Sequence, residues 1–510
     1  MARIAVIGAG MGAMAAAARL ATGGHRVAVY ERAGTHGGAV RRLERAGFGF
    51  DTGPGLLHLP AVYRDLFLKT GRESLEDSVS LGQVDPASRH VFSDGTSVSL
   101  PNASRGGVVA ALDAAFGGGA GERWSELLVR AREVWDATRR PLLEDALAGD
   151  PSPLGRDPYP APPVRRGLFR RGAPTLADVA RRELDDPRLA ALLGSYALAY
   201  GFDPRTAPAS AAVLPYLEQT FGSWYVRGGM RALADAVHAR CLARKVEFHF
   251  GAAVAGIVER DGRAAGLELA DGTRVEADTV VAGVGPWLLP PLLSHGAGGA
   301  GPAVRVWEDD TGAGLRCEGP GRLTVCLALR GARPADAVHR TVVHTGDPEA
   351  EAAALARGEF YDRPTVTVLR PDDDTLRPDD ASESVTLGVT VPPHGAPGVD
   401  WRAPGLAERA ADAVQAAVAA VLPDVTDRLL WRSVHTPADT EEETGTPGGR
   451  LPRPALAGAQ GRYLHPGNRL LLPGLYLVGG WSHPGGGLAH TGMSGAIAAD
   501  LIAGGPGGSR

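Results

Sequence analysis

The first thirty residues combine apolar runs with a short glycine-rich turn. The apolar run Arg3–Ile7 predicts a buried strand, and it leads through the turn at residues 8–12 into an alanine-rich run, 13–21, that predicts a helix. A second apolar run, 26–31, predicts another strand and ends on Glu31. The order of strand, tight turn, helix and strand predicts a βαβ unit.

The turn has the pattern Gly-x-Gly-x-x-Ala, which is typical of dinucleotide-binding sites. Gly8 permits the tight turn, Gly10 lets a pyrophosphate approach the backbone, and Ala13 is small enough for the helix to pack on the strand. The helix N-terminus offers free N–H groups to phosphates. Glu31 can accept hydrogen bonds from a ribose 2′-hydroxyl and would repel a 2′-phosphate. The sequence therefore predicts FAD or NAD rather than NADP, and it disfavours a βαβ unit without a ligand.

The middle of the chain mixes both kinds of pattern. The run 89–100 predicts a strand, a turn and a second strand, and amphipathic runs at 125–140, 175–184 and 187–201 predict helices. From Trp224 onward the pattern predicts a turn, a helix and strands. Turn signals at 260–262 and 271–272 mark hairpins in that region.

The C-terminal half begins with a region rich in predicted strands. Three apolar runs predict strands at 322–329, 364–371 and 384–392, and the run 405–422 predicts an amphipathic helix. The chain closes with a strand, a glycine loop and a helix over 474–502. The strand, glycine turn and helix of the N-terminus thus have a counterpart at the end of the chain.

This organisation predicts an α/β protein with a discontinuous Rossmann-like FAD-binding domain and an inserted α+β substrate domain. The predicted nucleotide-binding segments are 1–83, 226–300 and 460–510, and the substrate-binding segments are 84–225 and 301–459. The NAD domain of a dehydrogenase is usually one contiguous block. A site that needs the far end of the chain favours a longer cofactor with a second contact region, and hence FAD over NAD.

Composition and charge exclude several classes of function. The formal net charge of −5 predicts no broad basic surface for nucleic acid. Three scattered cysteines predict neither a disulfide framework nor a zinc site. We find no signal peptide and no run of 18 apolar residues, so we expect a cytoplasmic protein without a transmembrane helix.

Two polar stretches have competing interpretations. In Pro163–Gly172, four arginines flank Leu168 and Phe169, a composition that suits contact with an anionic bilayer surface. A solvated loop is the favoured alternative, because Gly and Pro interrupt any sustained helix. The run Asp372–Asp374 lacks metal-ligand spacing, so we interpret it as a solvated loop.

At this point the motifs resemble those of a known group. The segment 6–40 is similar to the N-terminal FAD-binding segment of amine-oxidase-like flavoproteins, and within them to bacterial-type phytoene desaturases and related carotenoid or polyene oxidoreductases. Five further stretches carry the resemblance: Phe50–Leu57, Leu66–Arg72, Trp224–Val237, His435–Gly449 and Tyr476–Gly495.

The resemblance implies a set of FAD-binding residues that are spread over both ends and the middle of the chain. They are Gly8, Gly10, Gly12, Ala13, Glu31, Arg32, Gly37, Gly38, Ala39, Gly53, Pro54, Gly55, Val254, Gly479, Gly480, Trp481, Gly487, Leu488 and Met493. By resemblance, Glu31 would bind the adenosine ribose, Val254 would meet the adenine, and the final helix would direct its positive end at the flavin.

Two positions depart from the family pattern. Ala39 and Val40 stand where an arginine usually follows the paired glycines, and the C-terminal loop reads Gly-Gly-Trp-Ser-His-Pro-Gly-Gly-Gly over 479–487. The bulky ring of Trp481 is therefore expected close to the flavin.

The implied activity is oxidation of CH–CH bonds in an apolar polyene or isoprenoid, with hydride transfer to the flavin. A redox-neutral isomerase or cyclase, and a non-enzymatic lipid-binding protein of the same fold, are the alternatives. An amine oxidase is disfavoured because neither Lys69 nor Lys245 matches the flavin-side lysine of that group. We assign no catalytic residue. His483 and His490 are candidate proton carriers, and a loop-fixing hydrogen bond is the favoured alternative for both. The sequence predicts no oligomeric state.

Overall fold

A computed structural model describes residues 1–165, 171–296, 317–395 and 399–504. The five residues 166–170, which form the centre of the arginine-rich stretch, lie outside the described residues, so the membrane-contact hypothesis stays a prediction. Within the described ranges, no helix combines the length and apolarity needed to cross a bilayer.

A five-stranded parallel sheet forms the centre of one half of the molecule. Its strands, in spatial order, are Glu247–Phe250, Arg26–Glu31, Arg3–Ile7, Thr279–Ala282 and Leu475–Leu477. The central strand Arg3–Ile7 and its neighbour Thr279–Ala282 are buried on both faces, as their continuous apolar sequences require. The sheet thus draws on three widely separated segments, which is what a discontinuous Rossmann-like domain requires, and the predicted fold class is confirmed.

Helices and a second small sheet cover this parallel sheet. Helices Met11–Thr22, Gly229–Ala243 and Leu488–Ala503 pack with its strands in one apolar core. Antiparallel strands Val254–Arg260, Arg263–Leu269 and Arg274–Glu276 belong to the core on the other face. The hairpins lie where the turn signals predicted them.

The other half contains a seven-stranded mixed sheet. In spatial order its strands are Leu429–His435, Gly321–Arg330, Ser382–Val391, Val366–Leu369, Arg340–Val343, Ser88–Val91 and Ser97–Leu100. Both inserted segments of the chain therefore contribute to one sheet. The strands Arg340–Val343 and Leu429–His435 are additions to the elements predicted from sequence.

A helical layer packs beside this sheet around Trp124, which is fully buried. The remaining helices of the described ranges are Ala61–Gly71, Arg105–Phe116, Ala120–Arg139, Leu176–Val179, Pro187–Ala199, Val213–Phe221, Leu289–Gly296, Pro348–Arg357, Leu406–Ala419, Pro423–Asp427 and Pro437–Thr444. The short strands Arg42–Arg45, Phe48–Asp51, Leu57–His58, Leu81–Gln83, Val164–Arg165, Arg171–Gly172 and Ser223–Val226 complete the fold.

The first and last helices cross at two glycines. A Cβ on Gly12 would lie 2.9 Å from the carbonyl oxygen of Thr491, and a Cβ on Gly495 would collide with the carbonyl oxygen of Gly12. The two backbones approach this closely only because neither residue has a side chain. This crossing fixes the C-terminal helix against the dinucleotide turn.

We expect Gly495→Ala to destabilise the protein, because the added methyl group overpacks this crossing at a cost of about 1–3 kcal/mol. Gly194→Ala is the matched control in the helix Pro187–Ala199. A Cβ there would meet its nearest neighbour, Pro204, at an ordinary 3.6 Å. Alanine at position 194 should therefore be neutral or stabilise by up to about 1 kcal/mol, since glycine weakens helix interiors. Equal thermal unfolding midpoints for both variants would contradict the close crossing.

Candidate active site

The predicted dinucleotide turn forms a cradle between two pairs of glycines, Gly8 with Gly10 and Gly37 with Gly38. Gly8 has φ +84° and its N–H donates to the carbonyl oxygen of Tyr30 at 2.8 Å. Gly37 donates to the carbonyl oxygen of Ala9 at 2.8 Å and pairs with Gly10 in an isolated bridge. Among the described residues, no atom lies within 4 Å of the place that a Cβ on Gly10 would take. The open space over Gly10 suits the approach of a pyrophosphate.

The carboxylate of Glu31 holds this turn through hydrogen bonds with backbone N–H groups. Its side chain is 9% exposed, and its two carboxylate oxygens accept the N–H groups of Ala9 at 2.7 Å and Ala33 at 2.8 Å. Each oxygen keeps a further lone pair for a hydroxyl group. The carbonyl oxygen of Glu31 accepts the N–H of Ala252, which brings the strand beginning at Val254 beside the carboxylate. This arrangement suits an adenosine ribose at Glu31.

The loop that contains Gly37 and Gly38 contacts a second loop, Gly53–Gly55, which is predicted to line the flavin. We call Gly53–Gly55 the flavin-side loop. A Cβ on Gly53 would collide with the carbonyl oxygen of Ala39, so the two loops are in direct contact. Arg41 donates from Nε to the carbonyl oxygen of Gly38 at 2.7 Å. A guanidinium therefore lies beside the paired glycines although residues 39 and 40 lack one. Arg41 was not predicted as a site residue, because the arginine of the family pattern directly follows the paired glycines and Arg41 stands two positions after Ala39.

The C-terminal glycine loop is fixed by one buried asparagine and one buried serine. Asn468 Nδ2, which has two N–H donors, lies within hydrogen-bond distance of three acceptors: the carbonyl oxygens of Leu477 at 3.0 Å and His483 at 2.9 Å, and Ser494 Oγ at 3.0 Å. Ser494 in turn accepts the N–H of Gly479 at 3.1 Å. Strand end, loop and helix thus share one hydrogen-bond network. Neither residue was predicted, since their partners lie up to 26 positions away.

Two helix N-termini converge beside these loops. The helices Met11–Thr22 and Leu488–Ala503 begin after Gly10 and Gly487, and no side chain of the described residues caps either one. Because Gly12 touches Thr491, both positive ends lie close together. The free N–H groups and the open cradle at Gly10 suit the pyrophosphate of FAD, and the carboxylate of Glu31 is an acceptor for its ribose hydroxyl. The residues present therefore fit FAD.

The other predicted cofactor residues occupy varied environments. Ala13 is 1% exposed and packs inside the domain, whereas Arg32 is exposed and donates to the carbonyl oxygen of Glu442 at 2.9 Å. Trp481 is half-buried and meets Trp287 edge-on, with ring centroids 5.2 Å apart. The remaining predicted residues, Pro54, Gly55, Gly480, Leu488 and Met493, are half-buried or border the same loops.

The two candidate histidines differ in surroundings. His483 is fully buried, and its Nε2 lies 3.0 Å from the carbonyl oxygen of Asp145, which is the geometry of a loop-fixing donor. His490 stands in the first turn of the last helix and lines an apolar pocket. Burial lowers the pKa of both, and that of nearby His465, to about 4. All three imidazoles are therefore neutral at pH 7.

The apolar pocket lies in the helical layer beside the last helix, and the space between its lining atoms, part of it open to solvent, amounts to about 410 Å³. Its wall is built mainly from apolar side chains, which are Val134, Trp135, Leu142, Leu143, Val213, Leu214, Leu217, Pro454, Ala455, Leu456 and Ala457. The hydroxyls of Thr138 and Ser210 donate to the carbonyl oxygens of Val134 and Ala457. Both hydroxyls are satisfied within the protein, and the exposed Arg139, which also lines the pocket, pairs with Glu144. The apolar part of the wall therefore suits a hydrocarbon.

The seven-stranded sheet has two unlike faces. Leu323, Val325, Leu387 and similar side chains pack on the helix Leu406–Ala419. The opposite face carries smaller or more polar side chains, and five of them are only partly buried: Arg322, Thr367, Leu369, Thr386 and Gly388. This face meets the flavin-side loop, since Thr324 Oγ1 lies 3.5 Å from the carbonyl oxygen of Thr52 and a Cβ on Gly55 would collide with Leu369.

The interpretation of residues 372–374 as a solvated loop is wrong for the central residue. Asp373 is 3% exposed and accepts hydrogen bonds from Tyr225 Oη at 2.7 Å and from the N–H of Gly228 at 2.6 Å. Asp51 accepts the N–H of Met230 at 2.8 Å, and burial raises the pKa of Asp51 to about 6. Both acids fix the N-terminus of the helix Gly229–Ala243, which carries Arg231 beside the cofactor loop.

Fold and site together define a dinucleotide-binding flavoprotein. The family model described as flavin containing amine oxidoreductase matches residues 14–304. The chain therefore belongs to this family, and it is an FAD-dependent oxidoreductase.

Similar proteins include carotenoid desaturases. The chain is 30% identical over 502 residues to the hydroxyneurosporene desaturase of Cereibacter sphaeroides, which covers 98% of this chain and 97% of the relative. It is 30% identical over 416 residues to the zeta-carotene-forming phytoene desaturase of Myxococcus xanthus, with 80% and 75% covered. An oxidoreductase from Methanosarcina mazei has a similar fold, with TM-score 0.62, 18% identity and coverage of 97% and 99%. The resemblance inferred from the motifs is confirmed.

We expect Glu31→Gln to weaken FAD binding roughly tenfold or more, because one acceptor oxygen becomes an N–H₂ group facing a backbone donor, at a cost of about 1.5–3 kcal/mol. Glu247→Gln is the matched control, since Glu247 lies on the same parallel sheet with a side chain 76% exposed. Titration of the apoproteins with FAD, followed by flavin fluorescence, measures both affinities. Equal affinities for the two variants would contradict the role of Glu31.

We also expect the free energy of unfolding to fall as the pH falls from 6.5 towards 4. The buried histidines 465, 483 and 490 have folded pKa values of about 4, below their ordinary value of 6.5. The unfolded state therefore binds more protons in this window, and each group removes roughly 1.4 kcal/mol per pKa unit.

Urea unfolding of the protein at a series of pH values measures this loss. His465→Gln should flatten the dependence between pH 6.5 and 4. His249→Gln, at a side chain 46% exposed, should leave it unchanged. A steeper or unchanged slope in the His465 variant would show that burial of this imidazole does not control acid stability.

Proposed function

We propose that the protein desaturates an apolar polyene. Removal of a hydride and a proton from adjacent CH groups converts a C–C bond to C=C. FAD, when bound, accepts the hydride. The observation that carries the proposal is the mainly apolar pocket that His490 lines from the first turn of the last helix. The names of the two curated relatives, both desaturases of carotenoids, support the same substrate class.

The chain's own residues would hold the polyene and exclude water. The pocket wall of Leu214, Leu217 and their apolar neighbours binds a hydrocarbon by burial, which contributes about 25 cal/mol per Å² of apolar area. His490 is a candidate acceptor for the released proton, because it faces the pocket and is neutral at pH 7. His483 would fix the loop through the carbonyl oxygen of Asp145.

A redox-neutral isomerase or cyclase on the same scaffold is the alternative. Such an enzyme would use the same pocket and cofactor but would leave the mass of the product unchanged. Neither outcome needs a lysine at the flavin, and Lys69 lies on an exposed helix surface with its side chain 65% accessible.

The test is anaerobic mixing of the flavin-loaded protein with an acyclic polyene in detergent micelles. We expect loss of the visible absorbance of oxidised flavin and a product that lacks two hydrogen atoms and absorbs at longer wavelength. A product of unchanged mass would establish the isomerase instead. Bleaching by simple aliphatic amines and not by polyenes would overturn the proposal in favour of an amine oxidase.

A matched pair of variants tests His490. His490→Gln should slow flavin reduction by the polyene by roughly a hundredfold, the contribution of a positioned general base. His465→Gln, which alters another buried histidine outside the pocket lining, should keep its rate within a few-fold. Equal rates for wild type and the His490 variant would exclude His490 as the proton acceptor.

A further inference from the structure

One guanidinium of the seven-stranded sheet lies inside the protein without an acidic partner. Arg322 stands near the start of the strand Gly321–Arg330, and in the described part of the chain it forms no ion pair. Its Nη2 donates to the carbonyl oxygen of Ala199 at 2.8 Å, which is its one hydrogen bond there. Burial lowers the pKa of Arg322, and the neighbouring phenol of Tyr200 partly offsets this effect. Because a guanidinium stays protonated in proteins, the site holds a positive charge without a counter-charge.

Stability does not explain this charge. Burial of a charge is costly unless the group is paired, and the buried Arg370 of the same sheet is paired with Glu383 at 2.8 Å. A cation does favour the C-terminus of a helix, and the helix Pro187–Ala199 ends at the carbonyl oxygen that Arg322 binds. That contact uses only one of the five N–H groups of the guanidinium.

The unused donors of Arg322 are accessible to a ligand. Its Nε and Nη1 have no hydrogen-bond partner within the described ranges, and both keep accessible surface. Since Nη2 has a second N–H, one two-pronged side of the guanidinium, formed with Nε or with Nη1, stays free. The Oη of Tyr200 is also accessible and has no partner among the described residues, and Ala199 beside it is exposed.

Arg322 projects from the sheet face that meets the flavin-side loop. Thr324 stands two residues further along the strand and therefore on the same face, and its Oγ1 lies 3.5 Å from the carbonyl oxygen of Thr52, just before that loop. Thr390, the cross-strand partner of Arg322, donates to the carbonyl oxygen of Leu198 at 3.0 Å. Two adjacent strands thus hold the end of the helix and leave the guanidinium beside it.

The start of this strand is also tied to the C-terminal glycine loop. The carbonyl oxygen of Pro320 accepts the N–H of Leu451 at 2.8 Å. The next residue, Pro452, touches the glycine loop, since a Cβ on Gly480 would lie 3.0 Å from its Cγ. Arg322 therefore belongs to a wall that contacts both loops predicted to line the flavin.

We propose that Arg322, together with Tyr200, binds the carboxylate at one end of an apolar chain. A carboxylate matches the guanidinium fork with two parallel N–H···O bonds and accepts a further hydrogen bond from a phenol. It also supplies the counter-charge that this wall lacks, which neither a hydroxyl group nor a hydrocarbon end can do. The apolar chain rests on the proposed function, whereas recognition of the carboxylate does not.

The first experiment measures binding to the flavin-loaded protein without turnover. Palmitate and methyl palmitate are titrated in the same detergent micelles, and the perturbation of the visible flavin absorbance gives each Kd. We expect the Kd of palmitate to be about ten- to a hundredfold lower than that of the ester, since a hydrogen bond to a charged group has roughly that effect.

A second pair of probes identifies the source of the carboxylate. Anaerobic reduction of the flavin by retinoate, with a weaker response to methyl retinoate, would make the carboxylate the end of an oxidised polyene. Oxidised flavin in the presence of retinoate, with slower reduction by a hydrocarbon polyene when palmitate is added, would make it the end of a fatty acid that occupies the site. Both results support recognition of a carboxylate.

Three variants test the residue itself. Arg322→Gln can still donate to the carbonyl oxygen of Ala199 but has no charge, so it should raise the Kd of palmitate about ten- to a hundredfold and leave that of the ester within a few-fold. Arg322→Lys restores the charge without the fork and should recover part of the affinity. Arg330→Gln is the matched control, because Arg330 ends the same strand, also donates to one carbonyl oxygen, and is exposed. The control should keep the preference for palmitate.

The outcomes separate this inference from the proposed function. Equal Kd values for palmitate and its ester in the wild type would overturn recognition of the carboxylate. An Arg322→Gln variant that keeps the preference, or that weakens acid and ester equally, would overturn it as well. Failure of hydrocarbon polyenes to reduce the flavin would overturn the proposed function alone, since the palmitate titration needs no turnover.

Discussion

The crossing of the first and last helices at Gly12 and Gly495 is the constraint on which the site depends. It places the N-terminus of the helix Leu488–Ala503 beside the dinucleotide turn, although almost the whole chain separates them in sequence. The parallel sheet closes in the same way, because its edge strand Leu475–Leu477 pairs with a strand from the middle of the chain. Neither end of the chain alone contains a cofactor site.

The substrate side of the molecule is asymmetric for a related reason. One face of the seven-stranded sheet is committed to packing against the helix Leu406–Ala419, and the other must meet the flavin-side loop. On that face Thr367 has a small side chain and Gly388 has none, whereas the helical layer supplies the apolar pocket.

Local sequence pattern was sufficient for the βαβ unit, the hairpins and the fold class, because periodicity and turn residues act over a few positions. Contacts between distant residues left no such signal. Asn468 reaches Ser494 across 26 positions, Asp373 reaches Tyr225 across 148, and Glu218 reaches Arg340 across 122. The Asp372–Asp374 run shows the limit clearly: its composition is that of a surface loop, and only the tertiary fold buries the middle carboxylate. His483 and His490 are equally plausible proton carriers in the sequence. Only the fold distinguishes them, because His483 faces a carbonyl oxygen and His490 faces a pocket.

The order of segments along the chain has a consequence for biosynthesis. All strands of the seven-stranded sheet precede residue 436, whereas the parallel sheet needs Leu475–Leu477. Domains fold as their residues emerge during synthesis, N-terminal parts first. The seven-stranded sheet can therefore form on the ribosome while the nucleotide-binding half still lacks the strand Leu475–Leu477 and the helix after it. Flavin insertion must then follow synthesis of the C-terminal glycine loop, and it reports that translation has passed that loop.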